Sequence, residues 1–532
     1  MKGPNLAAHI QSLLATGIWE AARLHLLRGA QGVRTREEGV LFGQVAREVP
    51  REHWAKPGWA HTLAWAAYRS GDLALMRDVL ALGAPDLNAF AAFLACTQGR
   101  WADALREAEV GLGGPDSAVA ARYRAQALVR SGAPGWREAY EAALQLAQGR
   151  DRALARLDYA VALAWLEDDR AARPEFAQAA AEFAGDPWGQ AFSWSNLGII
   201  CQRLGDLHGA ERALGQAQKW AGKESTGQHL MAVQRGLGSV YRAYGEYPRA
   251  QHAYREALRL ALSVEDRVAA LLGEARTLAL WGRCDEALST LYDAAGQAGQ
   301  LGPEGGDHRV FASVAAIRLM LGDHEGAQAA LNRAGGLTRD DEHLVAVVRA
   351  ELLRTQGHEE DARDLLAARN MRSEWVGETA RLFPALFALV DMHPVSPAPW
   401  TAEVNAEGPV TVRMHGEALP LRPQRPEAAL LVLLLLEGGA LRRERVQDAL
   451  DLPGRDENAR RKALSRVVGD LRDALGWPGA VQTGDGLLRL STDLTWVLHT
   501  PGPEQAESFC EGRLDPWLED WRLHHAPLPS VL

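Results

Sequence analysis

The sequence predicts a mostly α-helical protein, a long helical-repeat solenoid followed by a small α+β domain. Three observations predict it. Two segments forty residues apart repeat one helical hairpin. Glycine and alanine then recur with the same spacing along most of the chain. Near residue 395 a proline-rich stretch ends the helical period, and an alternating one begins.

In the first segment Trp194, Leu197, Gly198, Gly205, Leu207, Ala210, Leu214 and Ala217 stand at fixed offsets. In the second, Leu237, Gly238, Tyr241, Gly245, Tyr247, Ala250, Tyr254 and Ala257 fit the same frame. A Leu-Gly pair, a glycine that turns the chain, then small alanines where two helices touch, lets a hairpin stack on copies of itself. Looser copies place Gly282 with Ala287 and Ala294, Gly322 with Ala327 and Ala334, and Gly357 with Ala362. Upstream stand Gly17 with Ala22, Gly71, and Gly99 with Ala104. Ala160, Ala172, Phe176 and Ala179 fit another hairpin, with acidic residues where the turn glycine would stand. The segments between are rich in Ala, Leu, Arg and Glu, all strong helix formers. These residues resemble the tetratricopeptide repeat. The resemblance implies an α-superhelix over residues 1–390 that senses or binds a protein or peptide partner.

The run His393-Pro394-Val395-Ser396-Pro397-Ala398-Pro399 cannot continue a helix and predicts a semi-rigid linker over 391–404. Beyond it Val410 to Met414 alternates, His415-Gly416 turns, and Leu419 to Leu421 reads as a returning strand. An apolar helix from Pro426 to Glu437, a Gly438-Gly439 break and a short helix from Arg442 to Leu450 follow. After Pro453-Gly454 comes a long helix from Asp456 to Leu475. Val481-Gln482, the turn Thr483-Gly484-Asp485-Gly486 and Leu487 to Leu490 then make a hairpin. Strands, three helices and a hairpin in that order predict a winged helix–turn–helix domain over 405–500, with a C-terminal tail over 501–532. The stretches VTVRMHGEALPL, LLVLLLLEGGALRRERVQDAL and LRDALG resemble the OmpR-type winged helix, in particular that of the Streptomyces antibiotic regulatory proteins. The resemblance implies a bacterial transcription regulator whose partner is double-stranded promoter DNA.

The long helix supports that expectation from its own residues. Leu464, Val468, Leu471 and Leu475 form one apolar stripe, and Lys462, Ser465, Arg466 and Gly469 lie on the opposite face. From Arg460 to Arg472 the basic residues are Arg460, Arg461, Lys462, Arg466 and Arg472, against Asp470 alone. Lys and Arg donate hydrogen bonds to guanine edges or phosphates, while Ser and Gly allow close approach. Lys462 and Arg466, with Ser465 beside them, are therefore expected at bases or phosphates. Arg460 and Arg461 fall near the helix start, where phosphates are favoured. Arg489 on the hairpin is a further candidate for DNA contact. Over 405–500 acidic and basic residues balance, so a scaffold whose C-terminal domain docks protein instead of DNA stays open as the alternative.

A softer expectation concerns the repeats. Arg203, Arg235, Arg242 and Arg276 fall on the first helices of their hairpins, which line the concave face in tetratricopeptide-like folds, where guanidinium groups would grip a carboxylate or an acidic peptide. Arginines balanced by neighbouring Glu and Asp are the plainer reading.

Composition bounds the rest. At 532 residues and net charge −10 the chain is no uniformly basic nucleic-acid coat. The longest apolar run, Ala428 to Leu436, is too short to span a membrane, and the N-terminus lacks a signal-like apolar core. Cys96, Cys201, Cys284 and Cys510 stand far apart, without CxxC or metal spacing, and read as reduced packing residues of a cytoplasmic protein. Arginine far outnumbers lysine, and alanine is abundant, as in proteins from GC-rich bacteria. No phosphate-binding loop, HExxH or GxSxG motif occurs, so no enzyme, cofactor or metal is expected. His524-His525 reads as packing or tail rather than a ligand pair. Whether the chain forms a homo-oligomer, and whether it activates or represses, is open at this level.

Overall fold

The computed structural model describes residues 3–223, 228–299, 307–334, 339–368, 374–450, 452–454 and 456–525. Among the described residues, helices run from Gly3 to Phe387, many of them paired antiparallel across tight turns, and strands appear only from Thr401. The chain divides into two units, Met1–Gly236 and Leu237–Leu532, with the boundary inside the helix Gln228–Tyr244.

The turns follow one chemistry. Gly17, Gly71, Gly99, Gly205, Gly245, Gly282, Gly322 and Gly357 all have φ between 70° and 88°. Where the sequence offers acidic residues instead, Glu167 takes the same left-handed conformation at φ 60°. The next residue closes the preceding helix by a six-to-one bond, as from Asp206 N to Cys201 O and from Glu246 N to Tyr241 O, both 2.9 Å. It often then opens the following helix: Asp72, Asp168, Asp206 and Asp323 accept from the backbone N–H three residues on. A left-handed residue followed by Asp is thus a stop and a start in two residues.

In the first unit, hairpins such as Pro187–Arg203 with Leu207–Ala221 pack through Ala210, Leu214 and Ala217, all buried. Buried ion pairs span several hairpins. Arg69 holds Asp151 at 2.5 and 2.7 Å, and Arg122 holds Asp158 at 2.6 Å while donating to the Tyr68 hydroxyl at 3.0 Å.

In the second unit, Tyr254 is wedged between two glycines. A Cβ at Gly238 would stand 2.9 Å from its ring, and one at Gly273 2.1 Å. Gly238→Leu should therefore overpack the contact and cost about 1–3 kcal/mol. A large residue at the fully buried Ala250 should do the same. Melting curves check this, and an unchanged midpoint would mean the repeat frame is misplaced.

The sheet-bearing domain follows. β1 (Thr401–Asn405), β2 (Thr411–Met414), β3 (Glu417–Ala418), β4 (Ala440–Arg442), β5 (Val481–Gly484), β6 (Leu487–Leu490) and β7 (Thr495–His499) form two sheets. One has the order β3-β2-β1-β7, with β1 and β7 parallel, and the other β4-β6-β5. Helices Pro426–Leu436, Arg443–Ala449 and Glu457–Leu475 lie between. The returning strand expected at Leu419–Leu421 is instead the short Glu417–Ala418, because the left-handed pair His415-Gly416 turns the chain tightly enough for Glu417 to pair at once with Met414.

The domain's apolar core reaches past 405–500 at both ends. Trp400, Ala402 and Val404 enter it from the stretch expected as linker, and Phe509, Cys510 and Leu518 from the expected tail. Far from a loose tail, Pro516–His525 is a helix whose Trp521 stacks on Phe509 at 3.8 Å and on His525 at 4.1 Å. Residues 526–532 of the tail lie outside the described residues. Since every residue of this core comes from Trp400 onward, a fragment of residues 396–525 should fold alone, with a mixed helix–strand circular dichroism spectrum and a cooperative melt. A disordered fragment would mean that the core needs the repeats.

Candidate nucleic-acid interface

The helix Glu457–Leu475 starts at Asp456, whose carboxylate accepts from Ala459 N at 2.7 Å, and ends at Gly476 with φ 87°. Its inner side is Ala463, Leu464, Val467, Val468, Leu471 and Leu475. That face against the core fixes which residues point outward. Arg460, Arg461, Lys462, Ser465 and Arg466 are all exposed. Arg461 donates to Asn458 Oδ1 at 2.9 Å and Ser465 Oγ to Arg461 O at 3.0 Å, both within the helix. The structure thus gathers four of the expected contact residues, Arg461, Lys462, Ser465 and Arg466, on one face of one helix, with Arg460 exposed at its first turn.

Arg472 stands apart. Its guanidinium donates to Val481 O at 2.6 and 2.8 Å, tying the helix to β5. Arg489 is exposed on β6, opposite Ala440 of β4 and Gln482 of β5. Its face also carries Arg442, since Leu441 and Leu488 between them point into the core. Arg442 escaped the sequence analysis because β4 is only three residues long. Alternation around Leu441 was the available signal. Asp470 and Asp473 are exposed on the long helix and reduce its positive charge.

The repeat arginines divide. Arg203 and Arg235 belong to the first unit, where Arg203 lies 3.5 Å from Asp169 and Arg235 is half-buried. Arg242 and Arg276, in the second, do grip a carboxylate, but it is the chain's own. Arg242 Nε donates to Glu378 Oε1 at 3.0 Å, Arg276 Nε lies 3.1 Å from Oε2, and Arg276 Nη2 donates to Thr379 at 3.0 Å. A further Arg242 bond, 2.6 Å, reaches the hydroxyl of the wedged Tyr254. Burial raises the Glu378 pKa, but Arg242 and Arg276 outweigh it and hold the carboxyl below the ordinary glutamate range. The helix Glu374–Leu382 that carries Glu378 therefore occupies the place expected for an acidic ligand of this pair. Arg242 and Arg276 already serve this internal pair.

Burial pushes the Cys96 and Cys510 thiols up to about 12, which leaves them protonated and poorly nucleophilic. Among the described residues no group of His, Cys, Asp and Glu could hold a metal ion, and no helix is long and apolar enough to cross a membrane.

Several solved structures are similar to this chain at low identity. A tetratricopeptide repeat protein from Parabacteroides merdae is 14% identical, covering 52% of this chain and 99% of that one, with a TM-score of 0.38. A Rap protein complexed with Competence and Sporulation Factor is 12% identical, covering 57% of this chain and 97% of that one, at 0.40. The Rap conjugation gene regulator of plasmid pLS20, in complex with the Phr* peptide, is 14% identical, covering 72% and 96%, at 0.36. No curated protein sequence matches the chain. Residues 189–263, which hold the two aligned hairpins, match the tetratricopeptide repeat family.

Proposed function

We propose that this helical-repeat protein is a bacterial transcription regulator that binds promoter DNA through its C-terminal domain and a protein or peptide through its repeats. The C-terminal domain reads as a winged helix–turn–helix, with Arg443–Ala449 and Glu457–Leu475 as the two helices and β5–β6 as the wing. One observation carries the reading: Arg461, Lys462, Ser465 and Arg466 share the exposed face of a helix whose other face is locked into the core, and Arg460 is exposed at its first turn. Such a helix can enter a major groove without rearranging. Arg442 and Arg489 on the adjoining sheet supply further cationic groups.

A second reading has its own support. Acidic and basic residues balance over 405–500, Asp470 and Asp473 are exposed on the long helix, and residues 189–263 match a repeat of the protein-interaction type. On that reading the chain is a scaffold that docks proteins at both ends. Titration of the intact chain against duplex DNA at several salt concentrations separates the two. Binding through several phosphates must weaken steeply as salt rises. Failure to bind duplex DNA at low salt would leave the scaffold.

A further inference from the structure

The hairpin of Gln228–Tyr244 and Tyr247–Leu260 turns at Gly245-Glu246, and this turn meets the C-terminal domain and the proline-rich segment leading into it at three places. At the first, the His415 ring lies 4.1 Å from that of Tyr244, tilted by only 9°, and its Nε2 is 2.6 Å from Glu246 Oε1. A carboxylate only accepts, so Nε2 carries the proton of this contact. At the second, Pro397 covers Gly245 so closely that a Cβ there would stand 2.8 Å from the proline ring. At the third, the Arg249 guanidinium lies against Gly476, the residue that ends the long helix, where a Cβ would be 2.8 Å from Nη2.

Glu246 joins these contacts. It is wholly buried, yet each carboxylate oxygen is engaged: Oε2 by Arg249 at 2.9 Å from its own helix, and Oε1 by His415 from the other domain. Burying a charge is unfavourable unless it is paired, and His415 supplies the pairing on the side that docking covers, so the docked arrangement depends on it. Gly245 and Gly476 matter for a different reason: each has φ above 80°, and each lacks the side chain that would hold the domains apart.

We propose that this turn is a latch that fixes the C-terminal domain on the repeats, with Glu246 as its pin and His415 as its catch. The latch touches the end of the long helix and leaves Arg460, Lys462 and Arg466 exposed, so it orients the helix rather than covering it. Resting on the DNA-binding reading, it holds whatever the repeats carry in a set position beside the promoter.

Carbodiimide labelling of carboxylates in the full-length chain, read by mass spectrometry, tests the latch. In the wild type Glu246 should be protected. His415→Ala should raise its labelling rate at least tenfold, and His415→Gln, which keeps an N–H donor, should restore part of the protection. Glu378 should stay protected throughout, because the repeats stay folded. Unchanged labelling of Glu246 in His415→Ala would overturn the latch, and so would equal exposure of Glu378, which would mean that the repeats themselves open. Titration of the same proteins with duplex DNA keeps the two readings apart. If the wild type binds DNA, His415→Ala should bind within about threefold of it. If the wild type does not bind, the DNA reading falls while the labelling result still decides the latch.

Discussion

Glu378→Ala is expected to destabilise the chain by about 3–5 kcal/mol, the range found when one partner of a buried ion pair is removed. The reason lies in what remains. Arg242 is itself buried, and with Arg276 it faces the space that the carboxylate fills. Truncation leaves two guanidinium groups near one another without their shared counter-charge, so desolvation is no longer offset. Glu378→Gln keeps the volume and one acceptor oxygen, and should cost less but still lower the melting midpoint. The pair also predicts a pH dependence. The carboxyl is held below its ordinary value of 4.5 in the folded state, so it contributes stability that is fully present above that value. The contribution is lost as pH falls towards the depressed folded value. The gap in stability between wild type and Glu378→Gln should therefore be widest near neutrality and shrink below about pH 4. A constant gap across that range would mean that Glu378 acts through packing, not charge. A double-mutant cycle with Arg242→Ala would isolate the pairwise part.

This pair also marks where legibility in the sequence ends. Arg242 and Arg276 could be read as carboxylate binders because they recur at the groove-facing position of successive hairpins. Their partner could not, because Glu378 lies 136 residues beyond Arg242 and no local pattern links the two. The turns were legible for the opposite reason: a left-handed residue is a local demand, and glycine meets it within one residue. Even Glu167 was foreseeable, since the surrounding alanines kept the frame when the glycine was missing.

The C-terminal domain shows the same divide. The helix limits and the β5–β6 hairpin followed from periodicity and turn residues. β1 and β7 did not, because they pair in parallel across some ninety residues, and Thr495–His499 has no clean alternation of burial. Arg472 illustrates a third limit. Its position on the basic helix was plain, but its engagement by the Val481 carbonyl depends on how the hairpin folds back. A guanidinium that is satisfied inside the protein is poorly placed to leave it for a phosphate.

Lys462 and Arg466 face no such competition, and replacing both by Ala should weaken DNA binding at least tenfold. They stand one helical turn apart, both exposed, and point away from Leu464, Val468, Leu471 and Leu475. Neither forms a hydrogen bond or ion pair among the described residues, so the melting midpoint should stay near that of the wild type. Charge-assisted contacts to phosphate or guanine are worth roughly 1–3 kcal/mol each, and tenfold is about 1.4 kcal/mol, so losing two exceeds tenfold. The pattern of loss identifies what they touch. If both meet phosphates, affinity should fall alike on all sequences, and the slope of log affinity against log salt should shrink by about two. If either reads guanine, specific sites should suffer more than random duplex. Arg472→Ala provides the contrast: it should lower stability by loosening β5 while leaving the salt slope nearly unchanged. Titration of labelled duplex at several salt concentrations, with melting curves on every variant, measures all of this. A folded Lys462→Ala, Arg466→Ala protein that binds DNA as tightly as the wild type would remove the long helix from the interface, and leave docking of a protein as the role of that face.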